Sequence, residues 1–426
     1  MLHALYALLL LLVILVTLPL WVWRYLRTPK YRHTVAQRLG CRLPARPPGR
    51  PIWVHAVSVG EVMAAQGLVR QLATRFPDYP IILSTVTKTG QQIARTMPEL
   101  QATFYLPLDL PWIVRRVIRA LQPRCLIVLE TELWPALFHA MADAGVPVML
   151  VNGRLSPRSF HRYHRVRRAM RPLLAPVRLF AMQSVADAER MQAIGAPPER
   201  LLVTGNLKYD QALQPPDPDR MAELARHLPR PAGLIWLAAS THPGEEEIIL
   251  ACFTRLRDDW PTLRLILAPR HPERSPTVEA LVRQHGCGCT RFSQANGTWQ
   301  DEVLLVDQVG WLTRLYGYAH LAFVGGSLVP HGGQNMLEPA SLGLPILFGP
   351  HTFNFREVVQ QLLEDQAALP LQHSAELLPA MQGLLADGPR QRAMGERARA
   401  VITRNTGAVA RTIQAIQPLL ESLPNP

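Results

Sequence analysis

The sequence predicts an α/β protein of two doubly wound, Rossmann-like domains behind a single N-terminal transmembrane helix. Three observations predict it. Short apolar runs alternate with helical patterns along most of the chain, a Pro-rich break divides the alternation into two series, and one long apolar segment precedes both.

The apolar segment runs from Ala4 to Trp23, interrupted only by Thr17 and Pro19. Roughly twenty residues span the ~30 Å of a bilayer core as a helix. Trp21, Trp23 and Tyr25 fall where an interfacial aromatic belt belongs. Arg24, Arg27, Lys30, Arg32, Arg38 and Arg42 follow at once and no Lys or Arg precedes, so the positive-inside rule places the rest of the chain in the cytoplasm. A cleaved signal peptide would want a basic start and a small-residue cleavage site, and the segment has neither. Residues 1–26 are therefore read as an uncleaved anchor.

After the Pro-rich stretch Arg46–Pro51 the alternation begins. Ile52–Val57, Ile81–Ser84, Cys125–Leu129, Val146–Val151, Phe180–Gln183 and Leu201–Thr204 read as buried parallel strands, spaced for crossover helices. A second break, Gln214–Asp219, precedes Leu234–Ala239, Leu263–Ala268, Val303–Val306, Leu321–Val324 and Pro345–Phe348. The expected domains are 46–213 and 233–426, with 214–232 as a linker. Two such domains facing each other would form a cleft, and ligands of such sheets sit beyond the carboxyl ends of the strands.

Composition narrows the class. At 48% hydrophobic and 18% charged residues the chain can bury ordinary cores. A net charge of +13 and a pI near 10.1 call for an anionic partner: nucleic acid, membrane or a phosphorylated substrate. Nearly all of that charge is arginine, since Lys30, Lys88 and Lys208 are the only lysines. The odd set Cys41, Cys125, Cys252, Cys287 and Cys289 fits no disulfide framework and favours a reducing compartment. Cys287-Gly-Cys289 could be half a metal site, but no second Cys/His pair lies near it, which leaves a structural role.

The polar motifs cluster at the ends of the apolar runs. Ser58-Val59-Gly60-Glu61 follows the first. Glu61 would sit near a helix N-terminus, where the dipole favours a carboxylate, and Gly60 would allow a tight turn towards the cleft. Glu61 reads as a general base or as a plain dipole partner. Glu130-Thr131-Glu132-Leu133-Trp134-Pro135 follows Cys125–Leu129, and two acids at a strand end suggest a ligand or a cation. Lys208, in Gly205–Asp210, offers a compact ammonium for a phosphate or a carboxylate, or is a surface lysine. Ser240–Glu246 opens a helix, and Pro269-Arg270-His271 ends a strand. Either could meet phosphate through Arg270, His271 or helix-start amides. In the glycine-rich Gly325–Ala340, amides near Asn335 could hold phosphate while Glu338, three residues on, accepts from ribose hydroxyls.

No phosphate-binding GxxxxGK[ST] loop and no zinc spacing is present. Asp217-Pro218-Asp219 looks like a metal-binding Asp-x-Asp, but in the linker it reads as a turn or cap. Arginine, lysine and helix amides suffice for a metal-free site. Arg154, Arg158, Arg162, Arg165, Arg167, Arg168 and Arg171 form a basic run without acids, with Phe160, Tyr163, Leu173 and Leu174 as apolar contacts. It reads as a face for an anionic surface or lipid phosphates rather than a merely solvated one.

Taken together, Trp53–Val62, Glu130–Pro135, Asn152–Ser156, Gly205–Asp210, Ser240–Glu246, Pro269–Arg274 and Gly325–Ala340 resemble the 3-deoxy-D-manno-octulosonic acid (Kdo) transferases of lipopolysaccharide biosynthesis over nearly the whole chain, anchor included. The resemblance implies a GT-B fold, CMP-Kdo as donor, the lipid A precursor (lipid IVA) as acceptor, no cofactor, no nucleic acid, and a single-pass location in a bacterial inner membrane. It implies Glu61 as base and Glu130 and Lys208 as supports of the transition state. It places CMP at Pro269, Arg270, Val309, Gly310, Trp311, Asn335, Met336, Leu337 and Glu338; the basic run, read by itself, offers Arg154, Arg165, Arg167 and Arg168 to the acceptor or membrane. Trp311 stands where the family usually has an acid, and Gln334 where it usually has histidine. The rival readings are a UDP-sugar epimerase and a non-catalytic, membrane-tethered lipid-binding protein.

Overall fold

The computed structural model describes residues 11–422 apart from 13, 14, 18, 20–26, 28, 46, 213–217, 296 and 298, and the side chains at 29–33, 218 and 220. The expected anchor at 1–26 falls largely outside these. Among the described residues no helix is long and apolar enough to cross a membrane.

The chain forms two compact units, 1–211 with 406–426, and 212–405. Each is built on a seven-stranded, wholly parallel sheet. The first comprises β1 (Ile52–His55), β2 (Ile81–Thr85), β3 (Leu100–Tyr105), β4 (Cys125–Leu129), β5 (Val148–Gly153), β6 (Val177–Met182) and β7 (Leu201–Val203), in the order β3-β2-β1-β4-β5-β6-β7. The second comprises β8 (Ile235–Thr241), β9 (Arg264–Pro269), β10 (Cys289–Arg291), β11 (Val303–Leu305), β12 (Leu321–Val324), β13 (Ile346–Phe348) and β14 (Ala368–Pro370), in the order β10-β11-β9-β8-β12-β13-β14. The strand order reverses between β1 and β4 and between β8 and β12. Ligands of doubly wound sheets bind at such switch points. The carboxyl ends of these four strands and the segments that follow them carry Glu61, Glu130, Ser240–Glu246 and Gly325–Glu338.

The apolar runs become central strands because both of their faces are covered. Ile52, Val54, Cys125, Ile127 and Leu129 enter one core and Trp53, Leu126 and Val128 the other. The strands that had no counterpart in the apolar pattern, β3, β10 and β14, all lie at sheet edges. An edge strand needs no unbroken apolar run, and Gln101 in β3 is exposed.

Two boundaries differ from the expected 233–426 domain and 214–232 linker. Leu224 and Leu228, on or just after the helix Pro218–His227, are buried in the core of the second unit, so much of the expected linker is structured. The last helix, Ala408–Glu421, packs on the first unit instead of the second. Its stripe of Val409, Ile413, Ile416 and Leu420 joins the core that contains Val62 and Leu68. Polar bonds hold it there: Asp210 accepts from the amides of Gly407 and Val409, Arg411 Nε donates to Thr204 O at 2.8 Å, and buried Arg124 donates to Leu420 O at 2.8 Å. Asp210 of the Gly205–Asp210 motif is thus a cap for this helix.

Candidate active site

On the first unit, β1 runs into the helix Val59–Arg75 through Ser58 at the N-cap. Glu61 occupies the third helical position, and the pair closes a capping arrangement. The Ser58 hydroxyl donates to Glu61 Oε1 at 2.9 Å and the Val57 amide donates to Oε2 at 2.8 Å. Gly60 lies inside the helix with no positive φ, so the expected tight turn is not what presents Glu61; the cap is. The carboxyl is buried, with 6% of the residue exposed. Burial, reinforced by Glu130 and Glu132, outweighs the Val57 and Ser58 bonds and raises its pKa to about 7. The dipole alone was expected to keep it ionised; in this environment it is poised between the two states near neutrality.

Glu130, directly after β4, has φ +54, a left-handed conformation that is uncommon for a side-chain-bearing residue. Its amide donates to Val151 O at 2.9 Å, and its Oε1 meets Lys208 Nζ at 3.0 Å. Asn152, at the end of β5, shares the left-handed backbone with φ +54. Its Oδ1 accepts from Leu207 N at 3.0 Å, which fixes the helix that carries Lys208. The Arg154 amide donates to Thr131 Oγ1 at 3.0 Å, and that hydroxyl donates back to Arg154 O. The sequence motifs at 130–135, 152–156 and 205–210 therefore form one bonded group. Strained residues held by such bonds concentrate at functional sites. Glu132 is half-buried, and burial and Glu130 raise its pKa as well.

The basic run forms the helices Pro157–Arg165 and Arg167–Leu174. Met170 and Leu174 face the core, Phe160, Tyr163 and Leu173 pack partly against it, and Arg165, Arg167 and Arg168 are exposed with Val166. No ion pair among the described residues involves them or the half-buried Arg154. Arg167, Arg168 and Arg171 line a groove of about 270 Å³ with residues 192–195.

On the second unit the glycine-rich stretch does something the sequence did not suggest. The wholly buried Glu245 carboxylate accepts four amides: His242 at 2.9 Å and Gly326 at 2.7 Å on Oε2, Ser327 at 3.0 Å and Leu328 at 2.9 Å on Oε1. The amides of 326–328 are thus committed to an internal carboxylate. Gly325 is required because a Cβ there would lie 2.6 Å from Ser240 O, where β8 bulges with Ser240 at φ +52. Neighbouring Glu246, also buried, accepts from Thr241 Oγ1 at 3.0 Å and from Arg274 Nη1 at 2.9 Å.

Around this frame sits a cationic cluster. His242 stacks on His331, with centroids 4.1 Å apart, and meets His271 edge-on at 6.0 Å. Arg270, exposed at the end of β9, bonds Thr241 O through its amide at 2.9 Å. Gln334, where histidine was expected, places its Nε2 3.2 Å from His242 Nε2. His242 and His331 were present in the motifs but were not picked out; only their convergence in space marks them.

Asn335 and Glu338 do meet, at 2.8 Å, although Asn335 precedes the helix Leu337–Ser341. Asn335 Oδ1 also caps Leu337 N at 3.0 Å, and Thr313 Oγ1 donates to Glu338 Oε2 at 2.9 Å. That bond joins the short helix Leu312–Leu315, which follows Val309–Trp311, to Glu338. Burial raises the Glu338 pKa against these two side-chain bonds. Met336 and Leu337 are buried, so only their backbone is available to a ligand, and Pro269 is buried at the end of β9. Val309 is exposed, with Gly310 beside it at φ +92. Trp311 packs on Phe292 at 4.9 Å and lies beneath Arg314, so it pins the loop where an acid was expected.

A family model described as 3-deoxy-D-manno-octulosonic-acid transferase (kdotransferase) matches residues 33–211. The 3-deoxy-D-manno-octulosonic acid transferase of Haemophilus influenzae is 39% identical over 399 residues, 93% of each chain. That of Bordetella pertussis is 34% identical, over 94% of this chain and 96% of its own. Among solved structures, UDP-GlcNAc 2-epimerase from Neisseria meningitidis, bound to UDP-GlcNAc, superposes with a TM-score of 0.61 over 86% of this chain and 100% of its own, at 12% identity. That likeness shows the GT-B-like α/β fold alone. The rival epimerase reading shares the architecture, whereas the transferases match in sequence over more than nine-tenths of this chain. The chain therefore belongs to the 3-deoxy-D-manno-octulosonic acid transferase family and is a glycosyltransferase.

Proposed function

We propose that this protein transfers Kdo from CMP-Kdo to the lipid A precursor, lipid IVA, with Glu61 as general base. The observation that carries the mechanism is the buried, cap-held carboxyl of Glu61, whose pKa of about 7 suits proton abstraction near neutral pH. The acceptor hydroxyl oxygen forms a bond to the anomeric carbon of Kdo as the bond from that carbon to the cytidylate oxygen breaks. CMP leaves with the electron pair, and the hydroxyl proton passes to Glu61. Lys208, fixed by Glu130 and by the Asn152 bond to its helix, supplies positive charge for the developing anion.

In this reading the second unit holds CMP, with Arg270 near the phosphate and Asn335 and Glu338 near the ribose. Arginine and backbone dipoles supply the charge stabilisation without a divalent metal, so EDTA should leave the rate of the pure enzyme unchanged. The segment 4–23 anchors the protein in the bacterial inner membrane with both units in the cytoplasm. Arg154, Arg165, Arg167 and Arg168 seat the anionic acceptor and its lipid surface. Mass spectrometry of lipid IVA incubated with CMP-Kdo and the enzyme tests the assignment. It should show added Kdo with stoichiometric CMP; an unmodified acceptor under conditions in which the protein is folded would refute it.

A further inference from the structure

The cationic cluster on the second unit gathers side chains from three different loops. His242 leaves β8, Arg270 and His271 leave β9 with Arg274 close behind, and His331 with Gln334 comes from the glycine-rich stretch. Acids already answer part of this charge: Glu246 is paired with Arg274, and Glu273 Oε1 lies 3.6 Å from His271 Nδ1. Arg270 makes no ion pair among the described residues. His242 is 7% exposed. Burial, followed by His331, His271, Arg270 and Arg274, lowers its pKa to about 4, so the ring is neutral at physiological pH. With the Gln334 amide donating to its Nε2, the neutral ring carries its proton on Nδ1. Stacked imidazoles and a guanidinium with no carboxylate partner are poor company for one another and good company for an oxyanion.

We propose that Arg270 and His331, arranged around His242, form an oxyanion subsite for one acidic group of the donor, with Gln334 as the residue that positions His242. The proposal rests on the donor-binding reading of the second unit. It adds residues to that reading and names their ligand chemistry: a singly bonded anionic oxygen group, supplied either by the nucleotide's phosphate or by the sugar's carboxylate. His331 is exposed and can be replaced without opening the core, whereas His242 cannot.

The test is calorimetric titration of the full chain in detergent with CMP, cytidine and free Kdo, for the wild type, His331→Gln and Arg270→Gln. If the subsite takes phosphate, each variant binds CMP at least fivefold more weakly and cytidine as before. If it takes the carboxylate, CMP binding is kept and Kdo binding falls by a similar factor. Gln334→Leu, which leaves every cation in place, should weaken the same ligand by a smaller factor, and imidazole nitrogen shifts in NMR should show His242 losing its single tautomer. Variants with wild-type melting temperatures and unchanged binding of all three ligands would overturn the subsite. A wild type that binds CMP yet transfers no Kdo would instead count against the proposed reaction.

Discussion

If Glu61 is the base, the rate must follow its proton. A carboxyl with a pKa of about 7 is ionised in roughly half of the molecules at pH 7, and kcat/KM should fall about tenfold per pH unit below that. At pH 6 the wild type should work at roughly one-tenth of its own plateau. Burial is the main cause of the raised value, and the Glu130 charge adds to it. Glu130→Gln removes that charge, which favours ionised Glu61. The acid limb should therefore move down, but not as far as an ordinary carboxylate, because the burial remains. A limb lowered by one unit would raise the fraction of plateau rate at pH 6 to about half. The plateau itself should drop if the Glu130–Lys208 pair supports the transition state. The assay is CMP release from CMP-Kdo with acceptor well below its KM over pH 5 to 9, each variant normalised to its own maximum. A wild-type profile flat down to pH 5, or an acid limb that Glu130→Gln leaves in place, would refute the reasoning.

Further outcomes follow from the same structure. Glu245→Gln turns an amide NH₂ towards two of the four backbone donors in a wholly buried position. It should cost on the order of 3 kcal/mol and lower the Tm by several degrees, read by calorimetry. Asp210→Ala uncaps the last helix and should cost about 1–2 kcal/mol, with hydrogen exchange rising first in 407–411. Replacing Arg165, Arg167 and Arg168 together with glutamine should raise the acceptor KM several-fold while the donor KM stays put, and the difference should shrink at high salt, which screens exposed charge.

The central strands were legible because burial on both faces of a parallel sheet demands unbroken apolar runs, and Cys125–Leu129 and Leu321–Val324 fall at the expected residues. Edge strands such as Cys289–Arg291 escape that demand and leave no such mark. The last helix carries its apolar stripe openly, but nothing local says which sheet receives it; Asp210, nearly two hundred residues earlier, decides that. At the site, Glu61, Glu130 and Lys208 stood out by type and by position at strand ends, and the last two are in contact. The committed amides of 326–328 were illegible. A glycine-rich loop looks the same whether its amides await a phosphate or already hold Glu245. Likewise, the helix dipole at Glu61 can be read from sequence, whereas the burial that overrides it belongs to the folded protein.

The central claim is that Glu61 takes the acceptor's proton, and Glu61→Gln tests it most directly. Glutamine can keep the cap, accepting from the Val57 amide and bonding Ser58, but it cannot take up a proton. Single-turnover transfer of Kdo to lipid IVA should then fall about 10²–10⁴-fold, with CMP affinity unchanged. A folded Glu61→Gln protein that transfers Kdo at near wild-type rate would contradict the account.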